Sequence, residues 1–543
     1  MRPTVQRPHA AADLHSSAQS SLGSPSWAPM VLVAMAATIV VFNVTTLQVA
    51  VAGIANNFNA PASSVETTIV IYWLVVAALI LPAAKLDPSW GARRVFRGSM
   101  VLFAAAMTVM ALSPGSFAMM SAQVVAGVAT AAVTPTLAML IADHYRGDIR
   151  KSALNWLAMA QAVGIVPALL VAGALTTWVS WRLVFGLLAL WALAICKLSG
   201  KMHSSGARLP ANVDSVGVLL EVLGICLIGW GFNKLTDGSV LLAGSRATST
   251  LMSLTQAATP IVLGAFLVTA FVAWSRRYGA VGGTPLIALG MFAGSSERSV
   301  LFSIFSVGLL GAAITFVIPL YMENVQGRTS FHTAVALMPF AGASFAAGAL
   351  VVRLHGRVHP RRIARYAFIA VAVGAALLGE SMRGSWSDSP VIIGLVLAGL
   401  GEGALSTLLF KFLITRASSD PTGDVTPLCI STDYFATAVG TALASALVIG
   451  MLGASVQAEL RENPAISAEL KERVNLNNVS FISNDRLRKA LLRTTATPLE
   501  VEEAVRINTQ ARLRALRACF MTLAVLAALA FFPAAALPDW IRV

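Results

Sequence analysis

Apolar positions along this chain come in long unbroken runs rather than in alternation. Runs of spanning length lie near 29 to 55, 66 to 86, 95 to 113, 116 to 142, 152 to 176 and 183 to 198. After a polar stretch two more occur at 215 to 235 and 257 to 274. Six others follow near 299 to 321, 332 to 352, 363 to 380, 390 to 415, 431 to 455 and 515 to 536. A helix needs about 20 predominantly apolar residues to cross a bilayer. The pattern therefore predicts an all-α polytopic membrane protein with 14 transmembrane helices, grouped six, two, six. A transmembrane β-barrel is excluded, because its strands alternate and never give a run such as Val31 to Val41.

This grouping divides the chain into a tail at 1–27, a six-helix bundle at 28–198, a linker at 199–298 with helices 7 and 8, and a second bundle at 299–543. The tail is rich in Ser, Pro and Ala and lacks the apolar core of a cleavable signal, so it is expected to be a disordered cytoplasmic segment. Short loops rich in Lys and Arg stay on the cytoplasmic side. One set of loops carries Lys85, Arg93, Arg94 and Arg97, then Arg146, Arg150 and Lys151, and later Arg353, Arg357, Arg361, Arg362 and Arg365; the alternate loops hold isolated cations such as Arg182 and Arg328. Both termini are then cytoplasmic, in a multi-pass protein of the cell (inner) membrane. The one sizeable polar segment late in the chain, 456–514, falls outside. Within it Thr497, Pro498 and Glu500 have the spacing of a capping box with Pro in the first turn, which predicts a helix start. This loop reads as a surface hairpin, or as a lid or docking element for a periplasmic or other protein partner.

Composition narrows the function. Hydrophobic residues make up 57% of the 543 positions and charged ones 12%, against about 25% charged in soluble domains. The net charge of +14 is scattered between apolar runs rather than gathered on a polar domain, which argues against nucleic-acid binding. Cys196, Cys226, Cys429 and Cys519 have no metal-ligand or redox spacing and read as packing residues. No phosphate-binding loop or zinc-protease motif is present, so neither an enzyme nor a cofactor or metal site is expected. The work left for such a chain is moving a small molecule through the bilayer.

Polar groups within the runs are the candidates for that work, since a charge at mid-membrane costs about 2.5–3.5 kcal/mol on insertion scales. Gly401-Glu402-Gly403 places a carboxyl well inside the twelfth run and makes Glu402 the leading candidate for protonation; Glu221 in the seventh is the second. Asp433, near the start of the thirteenth run, reads as interfacial. Asn43 and Gln48 in the first run, with Gln123 in the fourth, can line a polar cavity or join helices. In the fifth run Gly164, Pro167 and Gly173 allow close packing and a bend.

Taken in order, these segments resemble the major facilitator superfamily, and within it the 14-helix drug:proton antiporter branch. Phe42-Asn43-Val44-Thr45-Thr46-Leu47-Gln48-Val49-Ala50 resembles that branch's Leu-Asp-x-Thr-x-x-Asn-Val-Ala motif, and Tyr72-Trp73-Leu74 its Tyr-x-Leu. Gly127 with Pro135, the Gly164 to Gly173 run, Trp181-Arg182-Leu183, Pro319-Leu320-Tyr321 and Met338-Pro339 fit its later helices. The resemblance implies alternating access by two six-helix halves. It also exposes departures. The family's helix 1 Asp aligns with Asn43 and its helix 4 Arg with Gln123, so an ion pair tied to proton coupling is neutral on both sides. The loop between helices 2 and 3 keeps Gly91, Arg93 and Arg94, but its acid is Asp87, one place early; helix 5 has Val166 where a Gly precedes the Pro. Protons, if coupled to transport, must use another carboxyl, with Glu402 first. The leading expectation is proton-coupled export of a hydrophobic or amphipathic drug or metabolite. The alternatives are an uncoupled facilitator or dedicated metabolite exporter, and a non-transporting receptor or assembly partner.

Overall fold

The computed structural model describes residues 27–58, 62–201, 214–236, 247–287, 294–354, 356–382, 388–419, 425–462, 484–492 and 497–538. Fourteen of its helices are long and apolar enough to cross a membrane. In chain order they are α1 (Ala28–Val49), α2 (Ala62–Trp90), α3 (Ala92–Leu112), α4 (Ser116–His144), α5 (Gly147–Trp178), α6 (Trp181–Leu198) and α7 (Ser215–Thr236). They continue as α8 (Ala247–Ala280), α9 (Ser295–Leu320), α10 (Ser330–Leu354), α11 (Pro360–Ser381), α12 (Asp388–Ser419), α13 (Val425–Glu462) and α14 (Pro498–Ala530). Large apolar side chains such as Leu190, Val262, Phe266 and Val525 stand exposed on the outside of this bundle, as a lipid solvent requires and water would not permit.

Three details differ from the expected spans. The first apolar run breaks at Ala50, which leaves helical geometry, so α1 ends at Val49 and a short helix Val51–Asn57 follows; a hydropathy pattern does not register a one-residue change of backbone. The ninth span continues beyond Leu320 as a π turn, Tyr321–Val325. The thirteenth and fourteenth helices run well into the 456–514 segment: α13 reaches Glu462, a short helix covers Asn484–Leu491, and α14 starts at Pro498. The capping box is formed there, with the Glu500 amide donating to the Thr497 hydroxyl at 3.3 Å and the Thr497 amide to the Glu500 carboxylate at 2.8 Å. Arg512, fully buried, ties this segment to the π turn by donating to the Asn324 carbonyl at 2.7 Å and to the Asn484 side chain. The expected tail at 1–27 lies outside the described residues apart from Trp27.

Helices in lipid gain no hydrophobic drive toward one another, so close packing depends on small residues. That is visible at several seams of the bundle. A Cβ at Gly127 of α4 would sit 2.9 Å from Val75 of α2, and one at Gly374 of α11 would meet the Ala398 amide of α12 at 2.6 Å. Gly224 of α7 and Gly264 of α8 face each other, and a Cβ at Gly264 would lie 2.7 Å from the Gly224 carbonyl. The α7–α8 pair lies against α2 and α13: Gly229 meets Leu74, and Ile225 packs with Ala438 and Ala442. Thus the linker helices cover one junction between the first six spans and the last six.

The arrangement around α12 positions the leading acid. Successive residues of a helix are about 100° apart, so Gly401 and Gly403 flank Glu402 on either side. Gly401 lies against the Ala367 carbonyl of α11 and Gly403 against the Ser344 carbonyl of α10, each too close for a Cβ. Clamped on both flanks, α12 turns Glu402 toward α9, where a Cβ at Gly311 would be 3.4 Å from its Cγ. A Gly403→Ala substitution is expected to cost about 1–3 kcal/mol through overpacking, seen as a lower unfolding midpoint of the purified protein. Gly342→Ala on α10, where nothing lies within 4 Å, is the control and should leave the midpoint unchanged or slightly raised.

Candidate functional site

At the heart of the first six helices the polar groups satisfy one another. Asn43 on α1 and Gln123 on α4, both 0% exposed, exchange two amide hydrogen bonds: Asn43 Nδ2 donates to Gln123 Oε1 and Gln123 Nε2 to Asn43 Oδ1, each at 3.1 Å. The hydroxyl of buried Tyr72 on α2 lies 3.0 Å from that of Thr130 on α4 and also meets Asn43. In this structure these residues join α1, α2 and α4, and no charge is buried among them. Gln48 is half-buried near the end of α1. The helix 5 glycines pack closely: Gly164 meets Thr38 of α1, Gly173 lies against Ala334 and the Ser330 carbonyl of α10, and Pro167 lies within the continuous helix α5.

The last six helices carry their polar groups as acids. Glu402 is partly buried at the middle of α12; it accepts hydrogen bonds from Ser344 of α10 at 2.6 Å and from Ser406 one turn on at 3.0 Å. It is the polar member of a narrow pocket otherwise lined by apolar groups, including Leu310, Ile314, Phe340 and Leu405. Asp433 of α13 sits beside it. A Cβ at Gly308, one turn before Gly311 on the same face of α9, would lie 2.8 Å from Asp433 Oδ1, and the two carboxyl groups are near enough for their charges to act on each other. The interfacial position expected for Asp433 is therefore corrected. Its place early in a long helix suggested the boundary, but α13 begins below the α9 glycines and carries Asp433 inward to them.

Glu221 and Asp214 separate in the same way. Asp214 holds the start of α7, accepting from the Gly217 amide at 2.9 Å and from Trp274 Nε1 of α8 at 3.0 Å. Glu221, about 10 Å further along the helix, is buried, and neither carboxyl oxygen has a hydrogen-bond partner. Of the loop motif, Gly91 turns the chain into α3 with φ 88°, Arg93 donates to the Gly200 carbonyl after α6, and Arg94 is exposed. The side chain of Asp87 lies outside the described residues. No group of three metal-ligating side chains occurs among the described residues.

Sequence reading passed over the contacts that cross between the two sets of six helices. Trp73 of α2 stacks on Tyr434 of α13 with ring centroids 5.1 Å apart, and Tyr434 bonds Thr134 of α4. Ser431 of α13 donates to the Ala77 carbonyl at 2.7 Å, and Ser445 of α13 donates to the buried carboxyl of Glu66 on α2. Between α5 and α10, the Phe331 amide donates to Thr177 at 2.9 Å and Trp178 lies against the Phe331 ring. An acid in the second turn of a helix reads as a partner for the helix dipole, which is why Glu66 drew no attention; its position within the apolar run starting at 66 was the available signal.

Comparison with known proteins agrees with this geometry. The Major Facilitator Superfamily family profile matches residues 33–456. The chain is 24% identical to the puromycin resistance protein pur8 of Streptomyces alboniger over 442 residues, covering 79% of this chain and 83% of that one. It is 23% identical to the multidrug efflux pump LfrA of Mycolicibacterium smegmatis over 421 residues, 77% and 80% of the two chains. Among solved structures, a bacterial homologue of the human lysosomal transporter Spinster superposes with a TM-score of 0.63 at 14% identity, over 96% of this chain and 100% of the other.

The neutral amide pair makes a direct prediction. Asn43→Asp alone leaves a buried carboxylate with no cation and should destabilise the protein by about 3–5 kcal/mol at neutral pH. Adding Gln123→Arg should recover much of the loss, a double-mutant cycle readable in the unfolding midpoint.

Proposed function

From the fact that this chain belongs to the Major Facilitator Superfamily, we propose that it exports hydrophobic or amphipathic small molecules, cations preferentially, in exchange for protons bound at Glu402 and Asp433. It is a multi-pass membrane transporter. The observation that carries the finer reading is the placement of Glu402 in an apolar pocket with Asp433 beside it, while the Asn43–Gln123 pair holds no charge. An organic cation entering that pocket and a proton on the same carboxyls neutralise the same charge, so they compete. Competition for one site makes exchange, because each ligand then biases the inward-to-outward equilibrium at the expense of the other.

Sidedness follows from the basic loops: both termini and the Gly91–Arg94 loop face the cytoplasm, and the ends where α5 meets α10 face outward, in the cell membrane. The apolar lining by Leu310, Ile314 and Phe340 suits a lipophilic solute. The names of the relatives, a resistance protein and a multidrug pump, support export of a toxic small molecule. The neutral Asn43–Gln123 pair favours a second reading, an uncoupled facilitator. Uptake of lipophilic fluorescent cations and neutral dyes into inside-out vesicles separates the two. With coupling, an imposed proton gradient drives cation uptake, and Glu402→Gln lowers the driven component by about tenfold or more. Uptake indifferent to both the gradient and the substitution leaves the facilitator.

A further inference from the structure

Glu66 lies away from the acid pair, on the opposite side of the α2–α13 seam. Its carboxyl is 3% exposed, and the polar group acting on it is the Ser445 hydroxyl, which is 1% exposed. Serine belongs to α13 and glutamate to α2, so this bond fastens the first six helices to the last six. Glu66 is two residues into its span, which runs from Ser64, while Ser445 lies in the later part of the span Val425–Val456. On the sidedness proposed above, which this inference adopts, both stand toward the outer surface.

Among the described residues Glu66 has no ion-pair partner in the seam. From α13 it faces Ser445; Asp433 lies about 18 Å further along that helix, and Glu459 beyond the span is bound by Arg514. From α7 comes Asn233, which bonds Thr67 at 3.0 Å, with Lys234 next to it in the last turn of the helix. The helix α1 and the short helix after it carry no ionisable side chain, and the charged residues of α3 and α4 sit at their other ends. An ionised carboxylate enclosed here would lose its water for one neutral donor, whereas the protonated acid is neutral and needs little more than that bond.

We propose that Glu66 is an outer-gate acid: the α2–α13 seam closes over it when it holds a proton and opens outward when it has lost that proton. The proton comes from the outer water onto a carboxylate oxygen during closing and returns there on opening, with no other bond changed. Acid outside then favours the outward-closed state, independently of exchange at Glu402 and Asp433.

The test uses the full chain in nanodiscs with its four cysteines replaced by alanine and Glu402→Gln with Asp433→Asn introduced, so that protons at the exchange site do not move the equilibrium. Nitroxide labels are placed at Phe117 and Leu499, exposed positions at the outer ends of α4 and α14, and no solute or gradient is present. As the pH rises from about 5 to about 9, the ratio of long to short separations should grow, by up to about tenfold per unit while Glu66 titrates. Glu66→Gln should stay at the short separation throughout, and Glu66→Asp should restore the response. A ratio that ignores pH while Glu66 is present, or a Glu66→Gln variant that responds as fully as the chain with Glu66, overturns the proposal. Loss of gradient-driven uptake bears on the exchange reading alone, and an altered distance response on Glu66 alone.

Discussion

A carboxylate moved from water to the middle of a bilayer loses about 2.5–3.5 kcal/mol on insertion scales, and the functional layout of this transporter follows from where it accepts that cost. Around Asn43 and Gln123, at the heart of the first six helices, it does not. Asn43, Gln123, Tyr72 and Thr130 are buried, mutually bonded and uncharged. In the last six it does, at Glu402, which is set in an apolar pocket, and at Asp433 beside it. A group that is costly to ionise in one conformation and accessible in another is the raw material of coupling, because its occupancy and the conformation then bias each other.

Packing makes that placement permanent. The glycines on both sides of Glu402 bring the α10 and α11 backbones close enough to fix the rotation of α12, and Gly308 and Gly311 keep the facing surface of α9 thin enough for two carboxyl groups. Small residues thus act at one remove from the chemistry. The contacts between the two sets of helices include a different kind: the Trp73–Tyr434 stack, the Trp178–Phe331 ring contact, the hydrogen bonds of Ser431, Ser445 and Tyr434, and the α5–α10 contact at Gly173 and Thr177. The polar ones among them can be exchanged for water, which suits a seam that opens and closes.

Much of this was legible before any coordinates. Run length reports the bilayer directly, so the spans and their six, two, six grouping could be read from hydropathy, and the Thr497–Glu500 capping box from four residues. Glu402 stood out because glycines isolate it in an apolar run. Asp433 and Glu66 did not, for a shared reason: each lies near the start of its run, where an acid ordinarily meets water or a helix dipole, and only the tilt and overlap of neighbouring helices show that it faces the interior. The joining of Asn43 to Gln123 likewise needed coordinates, since sequence identifies two amides 80 residues apart without telling whether they line a cavity or bond to each other.

The central claim is that substrate and proton compete for the Glu402–Asp433 pair. It is tested most directly by adding a transported lipophilic cation, such as tetraphenylphosphonium, to the purified protein in weakly buffered detergent solution and measuring proton release. The account predicts roughly one proton released per cation bound, and none from a chain carrying Glu402→Gln with Asp433→Asn. Saturable binding with no proton release, or release undiminished in that double variant, would contradict it.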